Sequence, residues 1–144
     1  MRSDKLSRAY VEKATIRIKA LHFLHGEKGY SDVVREAQEC VELLLKALLR
    51  HIGIEIPKTH DVSHVLRANA QFLPQEIQTN LEEVCSISRT LRKDREMAFY
   101  GTEDWIPTEE YSVADSQTAI KSAEFIFSLV APAILPPSGQ SAPE

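Results

Sequence analysis

Residues 90–107 read TLRKDREMAFYGTEDWIP, and the residue types in it that could do chemistry are Arg92, Arg95 and Tyr100. A guanidinium is a permanent positive charge that grips a planar oxyanion through paired N–H donors, and a phenol can donate to a phosphate oxygen. Their spacing decides where they point. At about 100° per residue, with Leu81 at zero, Val84, Cys85, Ser88, Leu91 and Phe99 define one apolar arc of a helix. Arg95 falls near about 320°, inside that arc, and Arg92 near about 20°, whereas Lys93 and Glu96 fall on the solvent side at about 120° and about 60°. A guanidinium among apolar side chains is costly unless paired, so Arg95 must meet a carboxylate, carbonyl groups, water or a ligand phosphate.

Two answers are open. The same arithmetic on the last helix puts Val113, Ile120, Phe127, Ala131 and Ile134 on one face with Glu124 near its centre, which offers a buried Arg95–Glu124 ion pair. The other answer is a ligand site lined by Arg95 with Arg92 and Tyr100. Arg89, Arg92, Lys93 and Arg95 together also make a basic strip, although the net charge of −4 argues against broad polyanion binding.

The remaining constellations are weaker. His60, Asp61 and His64 form HDxxH, with two histidines one turn apart, but the zincin pattern needs Glu where Asp61 stands and no third ligand is evident. An HD-type phosphohydrolase would need ligands available only by free choice. A structural reading covers the same residues: Thr59 caps a short helix, Asp61 favours its N-terminus and His60 packs at the turn. His22 and His25 suit the C-terminus of a first helix, and Glu42 with Lys46 reads as a solvated i, i+4 bridge. Trp105 and Tyr111 are expected to anchor their loop on the bundle. Cys40 and Cys85 lie in apolar periodic segments and read as small buried hydrophobes. There is no P-loop, GxSxG or CxxC, and neither a metal nor a cofactor is expected.

These residues have to be positioned by helices. The 144 residues, 43% hydrophobic and 26% charged, fit one compact domain, with no 18-residue apolar run and no apolar segment near the N-terminus to direct export. A cytoplasmic location is expected. Leu6, Tyr10, Ala14, Ile18, Leu21 and His25 step by three or four and stop at the Gly26–Gly29 break. Ser31 is the candidate N-cap of a second helix whose stripe runs from Val34 to Ile52 and ends at Gly53. A turn at Pro57 precedes a short helix, and Pro74 suits the first position of a fourth running to about Phe99. After the loop TEDWIPTEEY a last helix runs from about Ser112 to Ala131, or slightly beyond if Pro132 only kinks it. Its end, FIFSLVAPAIL, is apolar almost all round and must be covered by its own domain or by a second copy. The fold class expected is all-α, an antiparallel four- to five-helix up-and-down bundle over residues 1–135 with a disordered tail at 136–144.

Two blocks resemble one family. EAQECVELLLKALLRHIGIEIPKTHDVSHVL is similar to the second helix and following turn of the HEPN domain family, and LRKDREMAFYG with the later helix ADSQTAIKSAEFI is similar to its arginine-bearing fourth helix and final helix. The resemblance covers roughly residues 35–130. It implies a helical bundle, commonly a homodimer, often beside a small nucleotidyltransferase in a toxin–antitoxin pair. Active members are metal-independent endoribonucleases in which an arginine is followed four to six residues later by histidine. Arg95 matches that arginine, but Tyr100 stands where the histidine would be, and no histidine follows. The resemblance thus makes Arg95 and Tyr100 the catalytic candidates, and Arg92, Arg95 and Tyr100 the contacts to nucleotide or RNA phosphate. The alternatives are an active endoribonuclease in which Tyr100 or His60 replaces the histidine, and a ligand-free helical interaction protein.

Overall fold

The computed structural model describes residues 2–55, 62–99 and 105–135, and of residues 2–4, 94–99 and 109 the backbone alone. Four long helices dominate: α1 (Arg2–Gly26), α2 (Tyr30–His51), α5 (Leu81–Phe99) and α7 (Val113–Ile134). Three short ones lie between them, α3 (Val62–Ala68), α4 (Gln75–Thr79) and α6 (Pro107–Glu110), with a 3₁₀ turn at Ala70–Phe72. No β-strand occurs among the described residues, and the fold is the all-α bundle expected.

α2 is the hub, packing against α1, α7 and α5. Its wide apolar stripe explains this: Val33, Ala37, Cys40, Leu44, Leu45, Leu48 and Leu49 are all fully buried, which no single neighbouring helix could achieve. Val11, Ala14 and Leu21 of α1 and Ala123 and Ile126 of α7 close the core on either side. At the edge of the α1–α2 seam Arg17 pairs with Glu36 and, at 2.9 Å, with Glu39, while Arg35 reaches the same two carboxylates. These ion pairs are partly buried, and those of Arg17 tie α1 to α2.

α1 and α2 end in the same way. At α2 the Ile54 N–H donates to the Leu49 carbonyl at 2.8 Å and the Gly53 N–H to Arg50 at 3.0 Å, the two bonds of a Schellman motif, with Gly53 at φ 83°. At α1 the Gly29 N–H donates to Leu24 and the Lys28 N–H to His25, and there a lysine takes the left-handed position, at φ 66°. Gly29 then occupies the N-cap of α2 without a side-chain cap, and Ser31 is a buried residue inside the helix. The expected Ser31 cap is therefore displaced by two residues, because the α1–α2 link is too short to leave room before Tyr30.

Two further boundaries differ in kind. The single helix expected from Pro74 to Phe99 is broken at Asn80, with Pro74 as the N-cap of α4. The Asn80 side-chain amide donates to the Glu76 carbonyl at 2.7 Å, a local bond that competes with helix continuation. By contrast, α7 starts where expected. Ser112 accepts from the Asp115 N–H at 3.2 Å and the Asp115 carboxylate accepts from the Ser112 N–H at 2.8 Å, a complete capping box. Pro132 lies inside α7 near its end, so the helix continues through it to Ile134.

Candidate functional site

α5 buries Val84, Cys85 and Leu91 and half-buries Leu81 and Ser88, the described part of the arc read from the sequence, with the Phe99 side chain outside the described residues. Arg89, Arg92 and Lys93 are exposed on the same helix. Arg92 stands at the mouth of a small cleft between α5 and α2, floored by Val41, Val62 and Leu91 and walled by Gln38, Glu42 and Ser88. Arg95 is on α5 one helical turn past Leu91 and Arg92 in register, but its side chain, and Tyr100 altogether, lie outside the described residues. So do Thr59, His60 and Asp61, while His64 is exposed on α3.

The cleft has an arrangement that the sequence reading passed over. Gln38 is only 5% exposed, and its Nε2 donates to Glu42 Oε2 at 3.0 Å. That bond fixes the amide's orientation, since a carboxylate only accepts. It leaves Gln38 Oε1 buried with no hydrogen-bond partner. Glu42 also meets Lys46 at 3.8 Å, as its i, i+4 spacing suggested. The available signal was a polar residue at the i−4 position from Glu42 on an otherwise apolar stripe.

A second opening lies between α5 and α7, which touch only thinly. This groove of about 360 Å³ is lined by Ser86, Ile87, Thr90 and Leu91 from α5, by Tyr111, Asp115, Thr118, Ala119 and Ser122 from the α7 side, and by Val34 beneath. Trp105 packs edge-on against Tyr111, ring centroids 6.0 Å apart, which anchors the loop before α6 as expected.

Glu124 is not where the helical arithmetic put it. The buried face of α7 is formed by Ser116, Ala119, Ile120, Ala123, Ile126, Val130, Ala131 and Ile134. Glu124 lies beside it with its side chain 48% exposed, and meets His22 Nε2 at 3.2 Å. The expected buried face was centred too far round because Val113 is exposed and Phe127 only half-buried. Glu124 thus belongs to the α1–α7 seam. One turn along that seam, His25 Nδ1 meets the Oγ of fully buried Ser116 at 2.7 Å.

Neither cysteine is fit for nucleophilic work. Burial pushes the Cys40 thiol up to about 12, with nearby Arg17 only partly opposing, and burial likewise raises Cys85 despite Arg67 beside it. Among the described residues no group of three or more His, Cys, Asp or Glu could hold a metal ion, and no helix is long and apolar enough to cross a membrane.

Residues 7–133 match the HEPN domain family model, and the chain belongs to that family. It is also similar to a protein of Methanocaldococcus jannaschii named "Putative toxin MJ1304", at 26% identity over 132 residues, covering 88% of this chain and 86% of the relative. No solved structure matches it.

Proposed function

We propose that residues 1–135 form one HEPN toxin-type domain that binds nucleotide or RNA phosphate on α5, with Arg95 as principal contact and Arg92 and Tyr100 beside it. The observation that carries this is the exposure of Arg89, Arg92 and Lys93 on the helix that bears the family's arginine, with Arg92 at a cleft mouth. Fixed cations in that density suit a phosphodiester better than a neutral ligand. The name of the Methanocaldococcus relative supports a toxin role, and the family supports a small nucleotidyltransferase as the antitoxin partner. The thin α5–α7 junction supports a homodimer that closes the groove with a second copy and brings two α5 helices together.

The ligand-free alternative loses its central argument, since Glu124 is half-exposed and engaged with His22. Cleavage by Tyr100 or His60 remains the activity to test beside binding. Fluorescence anisotropy with a labelled single-stranded RNA, on wild type and Arg95→Ala, is the decisive experiment, with sedimentation and RNA gels on the same samples. Binding that falls at least tenfold in a variant with unchanged thermal midpoint is expected. Equal binding by both proteins, or none by either, removes the phosphate-site reading.

A further inference from the structure

α1 carries apolar residues on two opposite faces. Seen down the axis at about 100° per residue, with Ile16 at zero, Ser7, Val11, Ala14 and Leu21 lie within about 40° of the far side, and all four are fully buried. The near side repeats the pattern outward. Ala9, Lys13, Ile16, Ala20, Phe23 and Glu27 step alternately by four and three residues, the spacing of a helix-pairing seam, and all fall within an arc of about 80°. Glu27 lies one residue past α1, but its N–H still donates to the Phe23 carbonyl at 3.1 Å, so the spiral continues to it. Ile16 and Phe23 are each 66% exposed, more than any other large apolar side chain among the described residues. Two bulky side chains two turns apart, with a small residue between them, make a seam that nothing in its own chain covers.

We propose that α1 of a second copy covers this seam, packed antiparallel about a two-fold axis through Ala20. The charges select that register. Lys13 stands seven residues before Ala20 and Glu27 seven after, so reversal about Ala20 sets Lys13 against the second copy's Glu27 at both ends. The same reversal sets Ile16 against the second copy's Phe23. A parallel pairing would instead stack Lys13 on Lys13 and Glu27 on Glu27. Neither Lys13 nor Glu27 is in an ion pair with another described residue, so both are available to a second copy. Ala20 at the crossing point lets the two backbones approach closely. Lys19 flanks Ala20 and faces its own copy across the axis, a like-charge contact that keeps the association reversible. The seam is on the side of α1 turned away from α2 and α7, separate from the α5–α7 groove, and one chain can use both surfaces.

The test is sedimentation equilibrium over a concentration series, joined to disulfide trapping of Ala20→Cys. Wild type should show an association step that Phe23→Ser weakens at least about tenfold, with an unchanged thermal midpoint because the side chain is exposed. Lys13→Glu and Glu27→Lys should each weaken the step about three- to tenfold by setting like charges together, and the double variant should return to within about threefold of wild type. That rescue reads the antiparallel register, since a non-specific apolar contact has no reason to recover. Ala20→Cys should form an intermolecular disulfide in mild oxidant, because facing Cα atoms of closely packed helices come within bridging range, while Cys40 and Cys85 are buried and do not compete. If every association step survives Phe23→Ser unchanged, the inference falls and the α5–α7 groove is left as the dimer surface. Charge reversals that fail to rescue each other overturn the antiparallel register. A wild type that stays monomeric, with no Ala20→Cys cross-link, removes both self-interfaces and leaves the phosphate-site reading to its own test.

Discussion

α7 meets its two neighbours in opposite ways. Against α2 it closes a core in which Ala123, Ile126 and Val130 are essentially buried, whereas against α5 it leaves an open groove walled by Ser86, Thr90, Thr118 and Ser122. The contrast is one of side-chain chemistry. Large aliphatic residues on the α2 side interdigitate and exclude water; short hydroxyl-bearing residues on the α5 side neither fill the space nor repay desolvation. α5 is thus held mainly by α2 and α3, with thinner contacts to α4, α6 and α7.

That difference can be attacked directly. Leu48→Ala, at the fully buried centre of α2, should cost about 2–5 kcal/mol in urea unfolding, while Ile87→Ala at the groove should cost under about 1.5 kcal/mol. Comparable losses at the two sites would mean that the groove is filled in solution, as a dimer would fill it, and a concentration-dependent midpoint would confirm it. Next in size are the two matched helix ends. Gly53→Ala places a Cβ in the left-handed region with open space around it, so the cost of about 1–2 kcal/mol is conformational alone. Lys28→Gly removes the same penalty at α1 and should raise the thermal midpoint by a few degrees.

Smaller effects sharpen the contrast at the seams of α7. Ser112→Ala removes a capping box and should cost about 1 kcal/mol, read from the denaturation midpoint. Glu124→Gln, at an exposed contact with His22, should change stability by less than about 0.5 kcal/mol. A loss of several kcal/mol there would show that Glu124 is buried and paired in solution.

Much of the frame was legible because it depends on local chemistry. The α2 stripe, the Ala14 and Leu21 positions of α1, the Gly53 terminus and the Ser112 start of α7 follow from three- and four-residue spacing, from left-handed backbone and from a side chain bonding its own first turn. At the start of α1, by contrast, Leu6 is exposed and Ser7 and Val11 are buried instead. Ser31 was misread because an N-cap depends on the length of the preceding link, which the Lys28 turn shortens. The Asn80 break was missed because an asparagine is tolerable in a helix until its side chain bonds Glu76. Glu124 was misplaced because a helix with apolar residues on most sides has no unique buried face in sequence; which face is buried depends on the neighbours it meets.

The candidate site divides along the same line. Sequence alone determined that α5 is a helix carrying Arg92 and Arg95 near an apolar arc, that no histidine follows Arg95, and that the chain resembles HEPN domains, since residue order and helical period are local properties. Only the tertiary structure decided that Gln38 and Glu42 line one cleft with Arg92, and that Glu124 belongs to His22. Contacts between side chains of helices distant in sequence depend on packing angle and rotation about each axis, which a period of 3.6 leaves free.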